Sequence, residues 1–175
     1  MKRFSFVPLS ESDGSWSALM QDWTVQCGDF GESVENYASA SIPVLQQLVN
    51  APENNAGVYG LVCDGGVHHA AVQLNRAMLP GTSGWTLRAR HLILCPNYDF
   101  GSFSDDEYAA AVGSTVMQTI VIAREKLPSE HVKFHLRSPA DRHFFSILSS
   151  ELSGIDYFSN VRMAGAWLHL TVAQR

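Results

Sequence analysis

The sequence predicts a mixed α+β fold, in which helices cover both faces of a central, mostly antiparallel sheet. Strand-like segments joined by tight turns fill residues 58–94, and helical periods alternate with strand periods after residue 100. Of the 175 residues, 46% are apolar and 17% are charged, which is enough apolar material for one full core. We therefore expect a single domain over residues 1–175.

The first 50 residues predict a short strand followed by helices. Residues 3–9 form the strand, and a second helical stretch covers residues 33–50. Pro43 should interrupt that stretch or start a new helix, because proline has no amide hydrogen to donate. The first helix is predicted by apolar residues at helical spacing before Gly28, namely Trp16, Leu19, Met20, Trp23 and Cys27.

Residues 58–94 predict a meander of three antiparallel strands. Residues 58–63 and 67–78 flank Asp64-Gly65, and Asp-Gly is a favoured hairpin turn. A second turn at residues 80–84 leads into a long strand over residues 85–94. Three strands in direct succession exclude a helical bundle.

The C-terminal half alternates helices with strands. Ser104 and Glu107 have the spacing of a capping box at a helix start. Ser138-Pro139 is typical of a second helix start, with a capping residue followed by proline. The expected elements are helix 105–126, strand 132–137, helix 140–152, strand 157–163 and strand 167–172.

Charge and composition disfavour several classes of partner. Residues 1–80 carry three cations and eight carboxylates, whereas residues 81–175 carry nine of each, so no basic stripe exists for nucleic acid. No apolar run approaches 18 residues, so we expect neither a membrane span nor a signal peptide. Three cysteines without CxxC spacing argue against a disulfide framework and favour a reducing, cytoplasmic location.

The order of elements resembles the fold of the GCN5-related N-acetyltransferase (GNAT) superfamily, and the resemblance covers almost the whole chain. The fourth strand of the family would be residues 86–94, its third helix 105–126, its fifth strand 132–137 and its fourth helix 140–152. The resemblance implies a cleft between the fourth and fifth strands that holds acetyl-CoA or another acyl-CoA. It also implies that backbone amides there polarise the thioester carbonyl for attack by an amine.

The resemblance also implies which residues contact the acyl-CoA. Arginines on the two strands could bind its anionic groups, and Gly101 is the one glycine in the connection where the family holds pyrophosphate. These arginines and Lys133 need not bind a ligand. The alternative is that they are ordinary solvated strand residues or pair with acidic residues. The expected ligand-binding residues are Arg88, Arg90, Leu94, Gly101 and Arg137.

Two features depart from the family pattern. The connection 95–104 contains Pro96 and Asp99, and three carboxylates follow it at 105–107, where their charge would repel a pyrophosphate. Many family members carry a tyrosine in the fourth helix that protonates the leaving thiolate, but the aligned pair here is Phe144-Phe145. Tyr98 or Tyr157 could replace it only if the fold brings one within reach.

The histidines and cysteines suggest a base rather than a metal site. His91 and His135 are the candidate general bases, with an ordinary hydrogen-bonded histidine as the alternative. Four residues along a strand would separate His131 from His135 by about 13 Å, too far for one ion. Adjacent His68 and His69 point to opposite faces, and we expect no metal site. Acidic neighbours favour a buried structural role for Cys95.

Two functions remain open from the sequence. The first is a divergent N-acyltransferase that moves an acyl group from acyl-CoA to an amine. The second is a non-catalytic domain that keeps the fold and binds a small ligand or a second copy of itself. Both predict a small-molecule ligand, and neither requires nucleic acid or a membrane.

Overall fold

A computed structural model describes residues 3–101, 103–136 and 139–173, apart from the side chains of residues 139–141. Its strands form one seven-stranded sheet in the order β1-β2-β3-β4-β5-β7-β6. The strands are β1 Phe4–Leu9, β2 Ala56–Cys63, β3 His68–Met78, β4 Trp85–Leu94, β5 His131–His135, β6 Phe158–Ala164 and β7 Trp167–Val172. The helices are α1 Ser15–Asp29, α2 Val34–Tyr37, α3 Ile42–Asn50, α4 Pro96–Asp99, α5 Asp105–Glu125 and α6 Pro139–Ser153. The mixed α+β prediction with a mostly antiparallel sheet is confirmed.

The chain divides into two compact units, which we describe separately. The described residues of Met1–Leu74 and His91–Gln118 form the first unit, and those of Asn75–Arg90 and Thr119–Arg175 form the second. The expectation of a single domain stays a prediction. No helix within the described ranges combines the length and apolar character that a membrane crossing requires.

Two tryptophans anchor the larger core of the first unit. Trp16 and Trp23 of α1 are 1% and 0% exposed, and they pack with Leu45 of α3 and Ala71 of β3. The indole of Trp23 donates a hydrogen bond to the His68 carbonyl at 3.2 Å, so its one polar atom is satisfied. The apolar stripe predicted on α1 is therefore the face that covers the sheet.

Helix α5 covers the other face of the sheet in the first unit. Ala70 belongs to a second cluster with Leu61 and Ala111 of α5, whereas its neighbour Ala71 belongs to the first cluster. Successive strand residues point to opposite faces, so the two clusters lie on opposite sides. Gln118 fastens β1 to α5, because its side chain accepts from the Phe6 amide and donates to the Phe4 carbonyl, each at 3.4 Å.

The second unit is built around the central strand β7. Antiparallel pairing joins β7 to β5 on one side and to β6 on the other. Phe134 of β5 and Phe145 of α6 are both buried, with ring centroids 6.0 Å apart. The apolar residues of β5 thus pack against α6, and its polar residues lie on the opposite face.

Most element boundaries follow the predictions to within two residues, with two informative details. Pro43 is the second residue of α3, where a missing amide hydrogen is tolerated, so the helical stretch does break before it. The predicted connection after β4 contains an extra helical turn, α4, which starts with Pro96 after an extended Cys95. The strand predicted over residues 132–137 ends at His135, and Arg137 lies outside the described residues.

Replacing Leu61 with alanine should destabilise the protein by about 2–5 kcal/mol, because the side chain is 0% exposed and would leave a cavity. The matched variant Met117→Ala removes a side chain that is 54% exposed on α5 and should change stability by no more than about 0.5 kcal/mol. Urea unfolding measures both. Equal effects for the two variants would contradict the packing described.

Candidate functional site

The parallel pairing of β4 with β5 lies within the second unit. Thr86–Ala89 of β4 pair in parallel with His131–Phe134 of β5. This pairing ends at Ala89, although β4 continues to Leu94. Parallel neighbours require a crossover, which α5 provides.

His91 bends β4 two residues after the pairing ends. Its φ is +50°, and it is the one non-glycine residue with positive φ in the described ranges. This left-handed conformation strains a residue that has a Cβ and departs from the extended backbone of a regular strand. The His91 Nδ1 lies 3.3 Å from the hydroxyl of Ser41, the residue that precedes α3. His91 is half-buried within β4, and the Ser41 contact orients its ring.

The connection after β4 is folded back onto the first unit. Cys95 is 0% exposed, and its amide donates to the His69 carbonyl at 2.9 Å. Burial raises the pKa of the Cys95 thiol to about 12, which makes a thiolate nucleophile unfavourable. The structural role predicted for Cys95 agrees with this environment. Gly101 has a φ of +87° in the exposed turn before α5, a conformation that suits glycine.

A capping box occupies the N-terminus of α5. The Ser104 hydroxyl accepts from the Glu107 amide at 3.3 Å, and the Glu107 carboxylate accepts from the Ser104 amide at 3.1 Å. Asp105 and Asp106 add two exposed carboxylates to the same turn. Because these groups already satisfy amides and the helix dipole, the turn does not suit a pyrophosphate.

The acid in the connection is also committed to a partner. The Tyr37 hydroxyl lies 2.7 Å from the Asp99 carboxylate and 3.0 Å from the Leu94 carbonyl. It has one hydrogen to donate, and the carboxylate is the nearer acceptor. Burial, followed by the contact with Asp99, raises the pKa of Tyr37 far above its usual value. Leu94 is half-buried, and its carbonyl lies within hydrogen-bond distance of Tyr37 in the first unit.

A buried polar chain lies beside this connection and was not predicted. His69 is 1% exposed, its Nδ1 lies 2.8 Å from the Tyr98 hydroxyl, and its Nε2 lies 3.2 Å from the Cys63 sulfur. Burial raises the pKa of the Tyr98 phenol, which stays protonated at neutral pH. Three residues from separate segments meet here. The sequence signals only that His69 and His68 point to opposite faces.

Comparison with solved structures identifies the fold. The chain is similar to a probable acetyltransferase from Staphylococcus epidermidis ATCC 12228, with a TM-score of 0.56 and 12% identity over 98% of this chain and 100% of that chain. The chain has a GNAT-like fold. At this identity the likeness shows the fold alone.

Two further structures show a weaker similarity. Both contain the aminoglycoside acetyltransferase meta-AAC0020 from an uncultured soil metagenomic sample, one with trehalose and one with sisomicin. Their TM-scores are 0.44, at 11% and 10% identity, over 93% of this chain and 94% of theirs. No protein-family model and no curated protein matches the chain.

The aromatic pair on α6 belongs to the core of the second unit. Phe145 packs on Phe134, and Phe144 meets Phe145 edge to face at 5.6 Å. Neither ring carries a hydroxyl, so the usual phenol of the GNAT fourth helix has no counterpart at this pair. The Tyr157 hydroxyl is buried without a hydrogen-bond partner among the described residues, and the Arg124 guanidinium lies 5.4 Å from its ring.

Three predicted site residues, Arg88, Arg90 and His135, lie in the second unit. Arg88 donates to the Asn75 side chain, and its buried Nε has no partner in the described part of the chain. Burial, and then the charge of Arg90, lowers the pKa of Arg88. Arg90 is half-buried, and His135 packs against the Trp167 ring at 4.7 Å between centroids.

A second candidate site lies within the second unit, on the polar face of β5, β7 and β6. We call it the basic pocket; it is lined by Gly81, Thr82, Ser83, His131, Lys133, Asn160, Arg162, His169, Leu170 and Thr171. His169 stands between Lys133 and Arg162 in the strand register. Burial, and then the charges of Lys133 and Arg162, lowers the pKa of His169 to about 4. No sequence pattern indicates the pocket, because its residues come from a turn and three strands.

The backbone at His91 can be tested by two substitutions. His91→Val should destabilise the protein by about 1–2 kcal/mol more than His91→Asn, because a β-branched residue resists the left-handed conformation that asparagine tolerates. The asparagine side chain also keeps a hydrogen-bonding group for Ser41. Urea unfolding compares the two variants, and equal stability would contradict the bend in β4.

The pKa of His169 predicts a loss of stability in mild acid. An unfolded histidine takes up a proton near pH 6.5, but folded His169 does so only near pH 4, so the unfolded state gains protons first as the pH falls. The loss between these values should be about 1 kcal/mol, discounted for the exposed part of the ring.

Urea unfolding at about pH 7 and about pH 4.5 measures this effect as a difference between variants. His169→Gln should remove that part of the pH dependence. His143→Gln, which changes an exposed histidine on α6, should retain it. A pH dependence that His169→Gln leaves unchanged would refute the assignment.

Proposed function

We propose that this protein transfers an acyl group from an acyl-CoA to an amine, with acetyl-CoA as the first donor to test. The observation that supports the proposal is the bend at His91, two residues after the parallel pairing of β4 with β5 ends. A residue with left-handed backbone within a strand could aim backbone amides at a bound thioester carbonyl, and such amides would polarise it. The GNAT-like fold adds support by analogy.

His91 is the proposed base. A thioester supplies an activated acyl carbon, and the attacking amine must lose a proton as its bond to that carbon forms. An imidazole exchanges protons near neutral pH, and the Ser41 contact at Nδ1 orients the ring of His91. His135 stays the second candidate, with its ring held against Trp167.

Tyr98 is the proposed acid for the departing sulfur. Its phenol stays protonated at neutral pH, and its hydroxyl is hydrogen-bonded to His69. It follows the end of β4 by four residues, in the connection that GNAT proteins use for their ligand. Phe144 and Phe145 cannot supply this proton, which makes a replacement necessary.

The donor would be recognised chiefly through its thioester end. The residues at the N-terminus of α5 do not fit a pyrophosphate, because the Glu107 carboxylate and its neighbours already occupy that turn. Arg88, Arg90, Leu94 and Gly101 stay proposed ligand contacts, and Arg137 lies outside the described residues. The three cysteines are free, which suits the proposed cytoplasmic location.

Thermal melting with acetyl-CoA and a thiol-release assay with primary amines test the proposal together. A hundredfold excess of donor over its Kd should stabilise the protein by about 2.7 kcal/mol, which raises the Tm by about 5–10 °C in a chain of this size. Acetyl-pantetheine, which lacks the pyrophosphate, should keep a kcat/KM within about tenfold of that of acetyl-CoA.

Variants separate catalysis from binding. His91→Asn should lower kcat by about 10²–10⁴-fold and remove the inflection of the pH–rate profile near neutrality, with donor binding retained. His143→Asn, which changes an exposed histidine, is the matched control and should keep full activity. Donor binding without thiol release would favour the non-catalytic function, and no stabilisation by either donor would overturn the proposal.

A further inference from the structure

The basic pocket lies apart from the residues proposed to catalyse acyl transfer. Strand register places Arg88, Lys133, His169 and Arg162 in one row across β4, β5, β7 and β6. The neighbouring row contains His131, Thr171 and Asn160. Paired residues of adjacent strands share a face of the sheet, so cations and hydrogen-bonding groups meet on one surface.

The positive charge of this row is not neutralised by the described residues. In the described part of the chain, neither the Lys133 ammonium nor the Arg162 guanidinium has a carboxylate within 4.0 Å. The lining residues include no Asp or Glu. Glu130, the acid nearest in sequence to Lys133, instead accepts the Trp85 amide at 2.5 Å.

Like charges on directly opposed strand residues are destabilising, so this row works against the fold of the unliganded protein. Burial, and then the charges of Arg162 and Arg88, lowers the pKa of Lys133, which is the expected effect of uncompensated cations. An anion placed over the row would remove this repulsion. The repulsion within the row should therefore be smaller when an anion is bound than when none is bound.

The rim of the pocket is held in place by His131. Its Nε2 lies 2.7 Å from the Ser83 carbonyl, which can only accept, so that nitrogen carries the hydrogen. Its Nδ1 lies 3.0 Å from the Thr171 hydroxyl. These two bonds fix the turn at residues 81–83 against β5 and β7 and preorganise the pocket.

The volume of the pocket limits the size of the bound group. It encloses about 210 Å³, below the roughly 300–1,000 Å³ of pockets that hold a whole drug-sized molecule. A water molecule takes about 30 Å³, so the pocket has room for a compact anionic group and the few atoms attached to it. Most of a complete dinucleotide would extend out of the pocket.

We propose that the basic pocket binds the phosphate group of a small phosphorylated ligand. A phosphate dianion matches the two uncompensated charges of Lys133 and Arg162, and arginine offers it two parallel hydrogen bonds. The side chains of Asn160 and Thr171 add neutral polar groups to the same pocket. None of the lining residues is a proposed catalytic residue or acyl-CoA contact, although Arg88, at the end of the row, is a proposed acyl-CoA contact.

Thermal melting with inorganic phosphate, sulfate and glycerol 3-phosphate tests the proposal, with chloride at equal ionic strength as the reference. The wild-type protein should show a saturable rise in Tm with phosphate. A larger rise with glycerol 3-phosphate would identify a phosphate monoester as the source, and equal rises would identify the free ion. Either result supports phosphate binding by the basic pocket.

Lys133→Met and Arg162→Gln should each weaken phosphate binding by about tenfold or more. The matched controls Lys126→Met and Arg142→Gln change exposed cations outside the pocket and should bind as the wild type does. Because Lys133→Met also relieves repulsion, its Tm without ligand should equal or exceed that of the wild type.

Phosphate and sulfate stabilise many proteins without a site, so the comparison between variants decides the result. An equal, unsaturable rise in all five proteins, or no rise in the wild type, would overturn the proposal. If a pocket variant fails to fold, amide chemical shifts of Arg162, His169 and Thr171 in the wild-type protein replace the comparison. Those shifts must move with phosphate and not with chloride.

Acetyl-CoA binding by Lys133→Met separates this proposal from the proposed function. Retained donor binding with lost phosphate binding is the expected result. Loss of both from a folded protein would show that the pocket serves the acyl donor, which would overturn the inference of a separate ligand. Failure of acetyl-CoA to bind the wild type would leave the phosphate result standing.

Discussion

The parallel pairing of β4 with β5 is the constraint on which the rest of the structure depends. Antiparallel neighbours can be joined by a few residues, but parallel neighbours need a crossover long enough to return to the same end of the sheet. Helix α5 provides that crossover, and its apolar side covers one face of the sheet in the first unit. The pairing also sets the register of Lys133 opposite Arg88, and thereby the row of cations on the polar face of β5.

Local patterns predicted the elements because each element is encoded by neighbouring residues. The stripe from Trp16 to Cys27, the Asp64-Gly65 turn and the Ser104–Glu107 capping box each depend on interactions within about one or two turns of chain. The position of Pro43 near the start of α3 was predictable for the same reason. The helical turn α4 was missed, although Pro96 after an extended residue is a local signal that could have identified it.

The site residues were harder to predict, because strand register and loop packing bring them together. His69, Tyr98 and Cys63 form one polar chain, but no spacing in the sequence relates them. His169 lies between Lys133 and Arg162 only because of how β7 aligns with its neighbours, and a slip of one residue would turn it to the other face. His91 was named as a candidate base for its residue type, whereas its left-handed backbone could not be read from the sequence.

The charge differs between two places in this chain that could be considered for an anion. At the N-terminus of α5, Ser104, Glu107 and two aspartates satisfy amides and a helix dipole that could otherwise hold a phosphate. In the second unit, Lys133 and Arg162 present positive charge without a carboxylate among the described residues. A helix dipole offers roughly half a charge, whereas two cations offer two full charges to a dianion. Electrostatics therefore disfavours a phosphate at the N-terminus of α5 and favours one in the basic pocket.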